Sequence, residues 1–282
     1  MFRINNPAGY GALLGEAFPE YPEAMQLMTN LLQEGVFNPF CPNGRVRHPD
    51  SVVLHFDYGQ SRNKVLLVGF RNKRYVLKLY KRPKAFAGFV KRYIGSKARK
   101  AARNALVLLK SGFNTARPVI WWERRERGVI TDSWLITEFL DYHLIAEFRE
   151  PSLNKIQKQT LMKAISLYML RLHAAGFLPS DFNIGNLFYS ADEKFHNGGN
   201  DIAVNDIKDF YIIDINRMKQ GRVPGFHEVM KSFDQLGILP EEYPYLLYPY
   251  ADARGWSRDK CVKEIVKIRH RNSLRKRLLH FK

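Results

Sequence analysis

An aspartate, Asp181, and an asparagine, Asn186, stand five positions apart in the run Asp181-Phe182-Asn183-Ile184-Gly185-Asn186, and a second aspartate, Asp214, closes the apolar run Tyr211-Ile212-Ile213. One carboxylate can take a proton from a hydroxyl, while an amide oxygen and a second carboxylate can hold a hard cation. Together they are the set needed to move a phosphoryl group from a nucleoside triphosphate. Asp181 is the candidate base, and Asn186 and Asp214 are the candidate metal ligands. The pattern is short, and Asp, Asn and Gly also form ordinary turns, so its surroundings decide.

Those surroundings are ordered as the chemistry requires. Gln157 to Ala175 has Leu161, Ile165, Tyr168, Met169 and Leu172 at three- and four-residue steps, and Gly176 ends the run, which predicts a helix feeding the loop that holds Asp181. Asn186 to Tyr189 and Phe210 to Ile213 are short runs of β-forming residues, the second delivering Asp214. Between them, Ser190 to Asp209 reads as a loop; it lacks the ligand pattern of a calcium-binding EF-hand.

The N-terminal half reads differently. Residues 1 to 48 are rich in Pro and Gly around one helical stretch near Pro22 to Glu34 and read as an extension. From Ser51 the pattern predicts strands over Val52 to Phe56, Lys64 to Phe70 and Tyr75 to Tyr80, followed by a helix over Lys97 to Lys110 and strands over Pro118 to Trp122 and Trp134 to Phe139. Lys78 lies on the third strand ahead of the helix, where it could reach the α- and β-phosphates of a nucleotide. The turn Gly59 to Asn63 could present backbone N–H groups to phosphate, with Arg62 adding charge and Asn63 a polar side chain; a plain hairpin turn fits the same residues. Backbone groups of Glu138 and Leu140, where the sheet hands over to the helical half, would be available to an adenine edge.

The chain has 282 residues, enough for a sizeable core, and 45% hydrophobic content with 13% aromatic argues for a folded protein. Cys41 and Cys261 cannot build a disulfide framework, which makes a reducing cytoplasm the default. No apolar run approaches membrane-span length, and the N-terminus does not read as a secretory signal, so a soluble or peripheral protein is expected. Forty-five Lys and Arg against 27 Asp and Glu give a formal charge of +18, concentrated between Arg71 and Arg103, where no acid occurs, and in the tail from Lys263. This excess favours a polyanionic partner: nucleic acid, an anionic membrane surface or a phosphorylated glycolipid. For nucleic acid, no helix-turn-helix, RNA-recognition or zinc pattern accompanies the charge.

Taken together, Ser61-Arg62-Asn63, Tyr75 to Pro83 with Lys78, Ser96-Lys97-Ala98, Asn104-Ala105-Leu106, Gly112 to Thr115 with Pro118, Asp181 to Asn186 and Ile213-Asp214-Ile215-Asn216-Arg217-Met218 resemble the lipopolysaccharide core kinases of the Kdo/WaaP family, relatives of the protein kinases. The resemblance spans Asp57 to Arg222. It implies an α+β, two-lobed protein-kinase-like fold: an extension over 1–48, an N-lobe over 49–140 with a small antiparallel sheet and one helix, and a mainly helical C-lobe over 141–282 with a basic tail. It further implies ATP as donor, Mg2+ as the ion on Asn186 and Asp214, and a Kdo or heptose hydroxyl of the lipid A–core glycolipid as acceptor. The place of action would be the cytoplasmic side of the inner membrane, with the anionic surface as a partner and the oligomeric state open.

Two positions depart from that pattern. Pro179 stands where a histidine usually braces the catalytic loop, and Asn104 stands where the helix carboxylate would pair with Lys78. The histidine does no chemistry, so its loss is tolerable, whereas Asn104 cannot neutralise Lys78 and leaves room for a non-catalytic binding module. A kinase of proteins or small molecules, of the RIO-like or aminoglycoside type, is the second enzyme alternative. His173, on the helical stripe, reads as a packed residue rather than a base, and Trp121, Trp122 and the tyrosines from Tyr243 to Tyr250 read as core. His143, His196 and His280 lack partners at metal-ligand spacing.

Overall fold

Two neighbouring residues at positive φ, Arg71 (48°) and Asn72 (61°), make the tight turn between strands β4 (Lys64–Phe70) and β5 (Lys73–Tyr80). Such turns twist in the same sense as the strands they join. The computed structural model describes residues 1–5, 12–33, 51–56, 64–80, 95–146, 153–199 and 201–280. They fall into two units, Met1–Lys110 with Thr115–Asp141, and Ser111–Asn114 with Tyr142–Lys282.

In the first unit β3 (Ser51–Phe56) pairs with β4, and β5 pairs with β7 (Val129–Glu138), which pairs with β6 (Pro118–Glu126). The β6–β7 turn again uses two residues at positive φ, Arg127 and Gly128. The hairpin is longer than expected, with β6 continuing beyond Trp122 and β7 starting before Trp134; Arg124 pairs with Asp132 across the added length, and Arg125 pairs within β6 with the buried Glu123. The N-terminal residues supply more than one helix. β1 (Phe2–Asn5) and β2 (Ala12–Ala17) join the far side of β6, so the sheet has the order β1-β2-β6-β7-β5-β4-β3.

Register sorts the side chains onto two faces. Tyr75, Leu77 and Leu79 pair with Glu138, Ile136 and Trp134, and this face meets the segment leading into α1 (Ala24–Gln33). There Tyr75 Oη and Lys73 Nζ donate to Glu23 at 2.7 and 3.0 Å, and Tyr21 Oη donates to Glu138 Oε1 at 2.6 Å. Lys78 shares the other face with Leu135 and Trp121. α2 (Lys97–Lys110) covers that side: Ser96 N, just before it, donates to Glu123 Oε2 at 3.3 Å, and the Arg99 guanidinium sits 5.8 Å from the Trp121 ring centroid. Four buried alanines, Ala98, Ala101, Ala102 and Ala105, let the helix lie close to the strands.

The second unit is built on α3 (Lys155–Ala174), opened by a capping box between Asn154 and Gln157. Leu161, Ile165, Met169 and Leu172 are buried, each contributing roughly 1.5–3 kcal/mol. The helix ends in a Schellman arrangement, with Gly176 N donating to His173 O and Phe177 N to Leu172 O, both at 3.0 Å. Gly176 has φ +80°, and a Cβ there would lie 3.2 Å from Arg222 N, so glycine is needed on both counts. β8 (His143–Leu144), β9 (Leu187–Ala191) and β10 (Ile207–Ile212) form a small antiparallel sheet in the order β10-β9-β8.

The segment between β9 and β10, expected as a loop, contains the one-turn helix α4 (Glu193–His196). Asp192 accepts from Phe195 N and pairs with Lys208, local bonds that leave no periodic signature. α5 (Phe226–Gln235), α6 (Tyr243–Ala253) and α7 (Arg258–His280) follow, with α6 against α3 and α7 against α5 and α6. No helix among the described residues is long and apolar enough to cross a membrane.

Candidate active site

The Schellman turn hands the chain to Leu178, whose N–H and C=O exchange two 2.9 Å bonds with Lys219. This pairing ties the segment before Asp181 to the segment after Asp214. Ser180 Oγ adds a bond of 2.5 Å to Arg217 O. Phe182 is buried and Asp181 exposed, so the loop is anchored next to the residue it presents.

The Asp181 carboxylate accepts from Asn183 Nδ2 at 3.1 Å through Oδ1. Asn183 uses its own Oδ1 to accept from Gly185 N at 2.9 Å, starting a short 3-10 turn over Ile184–Asn186. Asn186 then reaches back, donating from Nδ2 to Asp181 O at 3.0 Å. With its nitrogen spent on the backbone, the amide keeps its oxygen for another partner. The Asn186 carbonyl accepts from Ile213 N at 2.9 Å, which seats Asp214 beside the same turn.

Asp214 has φ 55° and ψ 42°, a left-handed conformation uncommon for a residue with a Cβ. Asp and Asn tolerate it best among such residues, and it costs about 1–3 kcal/mol that the surrounding bonds must offset. One oxygen of Asp214 accepts from Asn216 Nδ2 at 2.8 Å. Each aspartate is therefore oriented by an asparagine two residues on.

Asn186 and Asp214 offer oxygen only, the donor chemistry a hard cation takes. No group of three or more His, Cys, Asp or Glu side chains converges among the described residues. The donor set suits Mg2+, which keeps waters and shares its shell with substrate phosphate rather than needing an all-protein cage.

In the first unit Lys78 lies mid-strand, paired with Val65 and Leu135, and its ammonium is 5.4 Å from the Tyr80 ring centroid. Glu123, an acid on the same face, is committed to Arg125 and to Ser96 N. Asn104 is half-buried on α2. Of the backbone groups at the expected adenine edge, the Glu138 N–H donates to Arg117 O at 2.9 Å, and the N–H of the neighbouring Phe139 donates to Arg74 O at 3.2 Å. Arg62 and Asn63, the turn around them and the basic residues from Lys81 to Arg92 lie outside the described residues.

His173 is buried, its Nδ1 2.9 Å from Tyr250 Oη, and burial first, then Arg254, lowers its pKa to about 4. It is a packing residue. Trp121, Trp122, Tyr243 and Tyr250 are likewise buried. The sequence reading missed Gln235, the last residue of α5, which bonds the loop on both sides of Asp181; no spacing rule joins residues so far apart.

No protein-family model matches the chain, and no curated protein matches it. Among solved structures, WaaP in complex with acyl carrier protein is similar at a TM-score of 0.52 and 16% identity, over 79% of this chain and 87% of the other. An aminoglycoside-3'-phosphotransferase of type VIII is similar at 0.51 and 13% identity, over 78% and 94%. The chain has an α+β, protein-kinase-like fold.

Proposed function

We propose that the protein is an ATP- and Mg2+-dependent phosphotransferase acting on a sugar hydroxyl, Kdo or heptose, of the lipid A–core region of lipopolysaccharide. The observation that carries the phosphotransfer reading is the bonding of Asn186. Its amide nitrogen holds the backbone of Asp181, its amide oxygen remains for a cation, and its carbonyl seats the segment that carries Asp214. The choice of acceptor rests on the resemblance to the lipopolysaccharide core kinases, on the fold shared with WaaP, and on the formal charge of +18, which suits a phosphorylated glycolipid at an anionic surface.

In this reading Asp181 takes the proton of the acceptor hydroxyl. Oδ1 is already held by Asn183, so Oδ2 is the atom that receives it. The hydroxyl oxygen forms a bond to the γ-phosphorus as the bond from that phosphorus to the bridging oxygen breaks, and ADP departs with the bridging electron pair. Asn186 and Asp214 would hold Mg2+, which would supply positive charge to the phosphate oxygens. Lys78 holds the α- and β-phosphates, with Arg62 and Asn63 assigned to the same end of the nucleotide. The Glu138 carbonyl and the Leu140 amide take the adenine edge. Positioning and charge, rather than covalent chemistry, carry the rate.

The basic residues of 81–103 would draw the protein to the cytoplasmic face of the inner membrane, each near-surface Lys or Arg contributing about 1 kcal/mol. The test is ATP turnover with purified, dephosphorylated lipid A–core acceptor, comparing the wild type with Asp181→Ala and Asp214→Ala. Both variants should stay folded and lose a factor of about 10² or more. A wild type that binds neither Mg-ATP nor acceptor would overturn the reading. Turnover confined to protein or aminoglycoside acceptors would replace its acceptor half.

A further inference from the structure

The backbone on either side of Asp181 is held by one side chain from a distant helix. Gln235 Nε2 donates to Ser180 O at 2.9 Å, and Gln235 Oε1 accepts from Phe182 N at 3.3 Å. The two bonds fix the orientation of the amide, since a flipped amide would set oxygen against oxygen and N–H against N–H. Ser180 C=O belongs to the peptide unit before Asp181, and Phe182 N–H to the unit after it. Rotation about φ of Asp181 moves the first unit relative to its side chain, and rotation about ψ moves the second. A clamp on both units therefore sets the direction of the Asp181 Cα–Cβ bond, and the bond from Asn183 Nδ2 to Oδ1 then holds the carboxylate at its end.

The clamp is mounted on a fixed support. Phe233 is fully buried and meets Tyr250 edge-on at 5.2 Å between ring centroids, and Leu236 is buried one position beyond Gln235. Asp234 accepts from Arg269 Nε at 3.1 Å and from Asn272 Nδ2 at 3.0 Å, joining the end of α5 to α7. Pro179, with no N–H, contributes no donor of its own to the loop.

We infer that Gln235 is a positioning residue for Asp181: it does not touch substrate, but it sets the direction from which the base meets the acceptor hydroxyl. The inference rests on the phosphotransfer reading for its kinetic consequence. Its structural half, the clamp, does not.

The experiment uses the full chain and the variants Gln235→Leu and Gln235→Glu. For Gln235→Leu, kcat should fall roughly tenfold or more while KM for ATP and the stoichiometry of Mg-ATP binding stay at wild-type values. Gln235→Glu carries a signature that a general loss of packing would not produce. A protonated glutamic acid donates and accepts as the amide does, whereas a carboxylate can only accept. The ratio of its kcat to that of the wild type should therefore climb as pH falls toward about 5. Should Gln235→Leu not fold, Gln235→Asn, one methylene too short to span both groups, takes its place.

Hydrogen exchange of the Phe182 amide provides a readout that needs no turnover: it should quicken in Gln235→Leu while protection across α3 and α5 is kept. Wild-type kcat in a folded Gln235→Leu, or a Gln235→Glu ratio that is flat with pH, overturns the positioning role. If the wild type turns over no acceptor, the phosphotransfer reading fails on its own, and the exchange rate alone decides the clamp: faster exchange upholds it and unchanged exchange removes it.

Discussion

Substituting Asn186 separates two tasks that one side chain performs with two atoms. Its Nδ2 holds Asp181 O at 3.0 Å in a solvent-exposed bond, and its Oδ1 is the proposed ligand to Mg2+. Aspartate at this position keeps an oxygen for the cation and adds a charge, but it has no donor and sets a carboxylate against the Asp181 carbonyl. An exposed bond of this kind is worth about 0.5–1.5 kcal/mol. If all of that falls on the placement of the base, kcat drops roughly 2- to 12-fold. Half-saturating Mg2+ should at the same time fall, because the new ligand is charged. Leucine removes both atoms, so Asn186→Leu should need more Mg2+ and lose more kcat than Asn186→Asp. Steady-state turnover across a Mg2+ series, with folding checked by thermal melts, reads both quantities. An Asn186→Leu variant with the Mg2+ dependence of the wild type would refute the assignment of Oδ1. An Asn186→Asp variant with unchanged kcat would refute the loop-holding role.

Two further outcomes are expected. The His173 pKa is lowered to about 4 by burial, so the unfolded chain binds more protons at this site between about pH 6.5 and pH 4. Its contribution to stability is complete above that window and is lost as pH falls through it, on the order of 3 kcal/mol, and His173→Gln should flatten this part of the urea-midpoint profile. Tyr21→Phe removes the 2.6 Å bond to Glu138, costs about 1 kcal/mol and should lower Tm by roughly 2–4 °C in a thermal melt.

The parts of the molecule legible in the sequence are those whose signals are local. The three- and four-residue spacing from Leu161 to Leu172 marks α3, and the two runs of β-forming residues around the polar turn at Arg71 to Lys73 mark β4 and β5, because each signal lies within one element or its flanking turn. β1 and β2 escaped because Phe2–Asn5 and Ala12–Ala17 are short and reach their place through β6, across a long stretch of chain. The charged ends of β6 and β7 escaped because apolar alternation does not mark them; ion pairs occur there instead. In the tail the basic residues masked a helix: Cys261, Ile265 and Ile268 are buried, but they are too sparse a stripe to stand out among lysines and arginines.

The same division runs through the site and explains how Pro179 can stand where a bracing histidine was expected. Asn183 on Asp181, Asn216 on Asp214 and Asn186 on the Asp181 carbonyl all act within five residues, inside the two short segments that residue type and spacing marked through Asp181, Asn186 and Asp214. Bracing of the loop itself has no such constraint. Any donor–acceptor pair of suitable reach can provide it, from any element that passes close by. A histidine within the loop is one solution; a glutamine at the end of α5, with its helix fixed to α7 through Asp234, is another. The residues that meet substrate must be of a given type, whereas those that hold them need only the right atoms in the right place. A missing bracing residue in a sequence is therefore weak grounds for reading the site as inactive. The departure at Pro179 should be judged by whether the Ser180 carbonyl and the Phe182 amide are held, and in this fold Gln235 holds both.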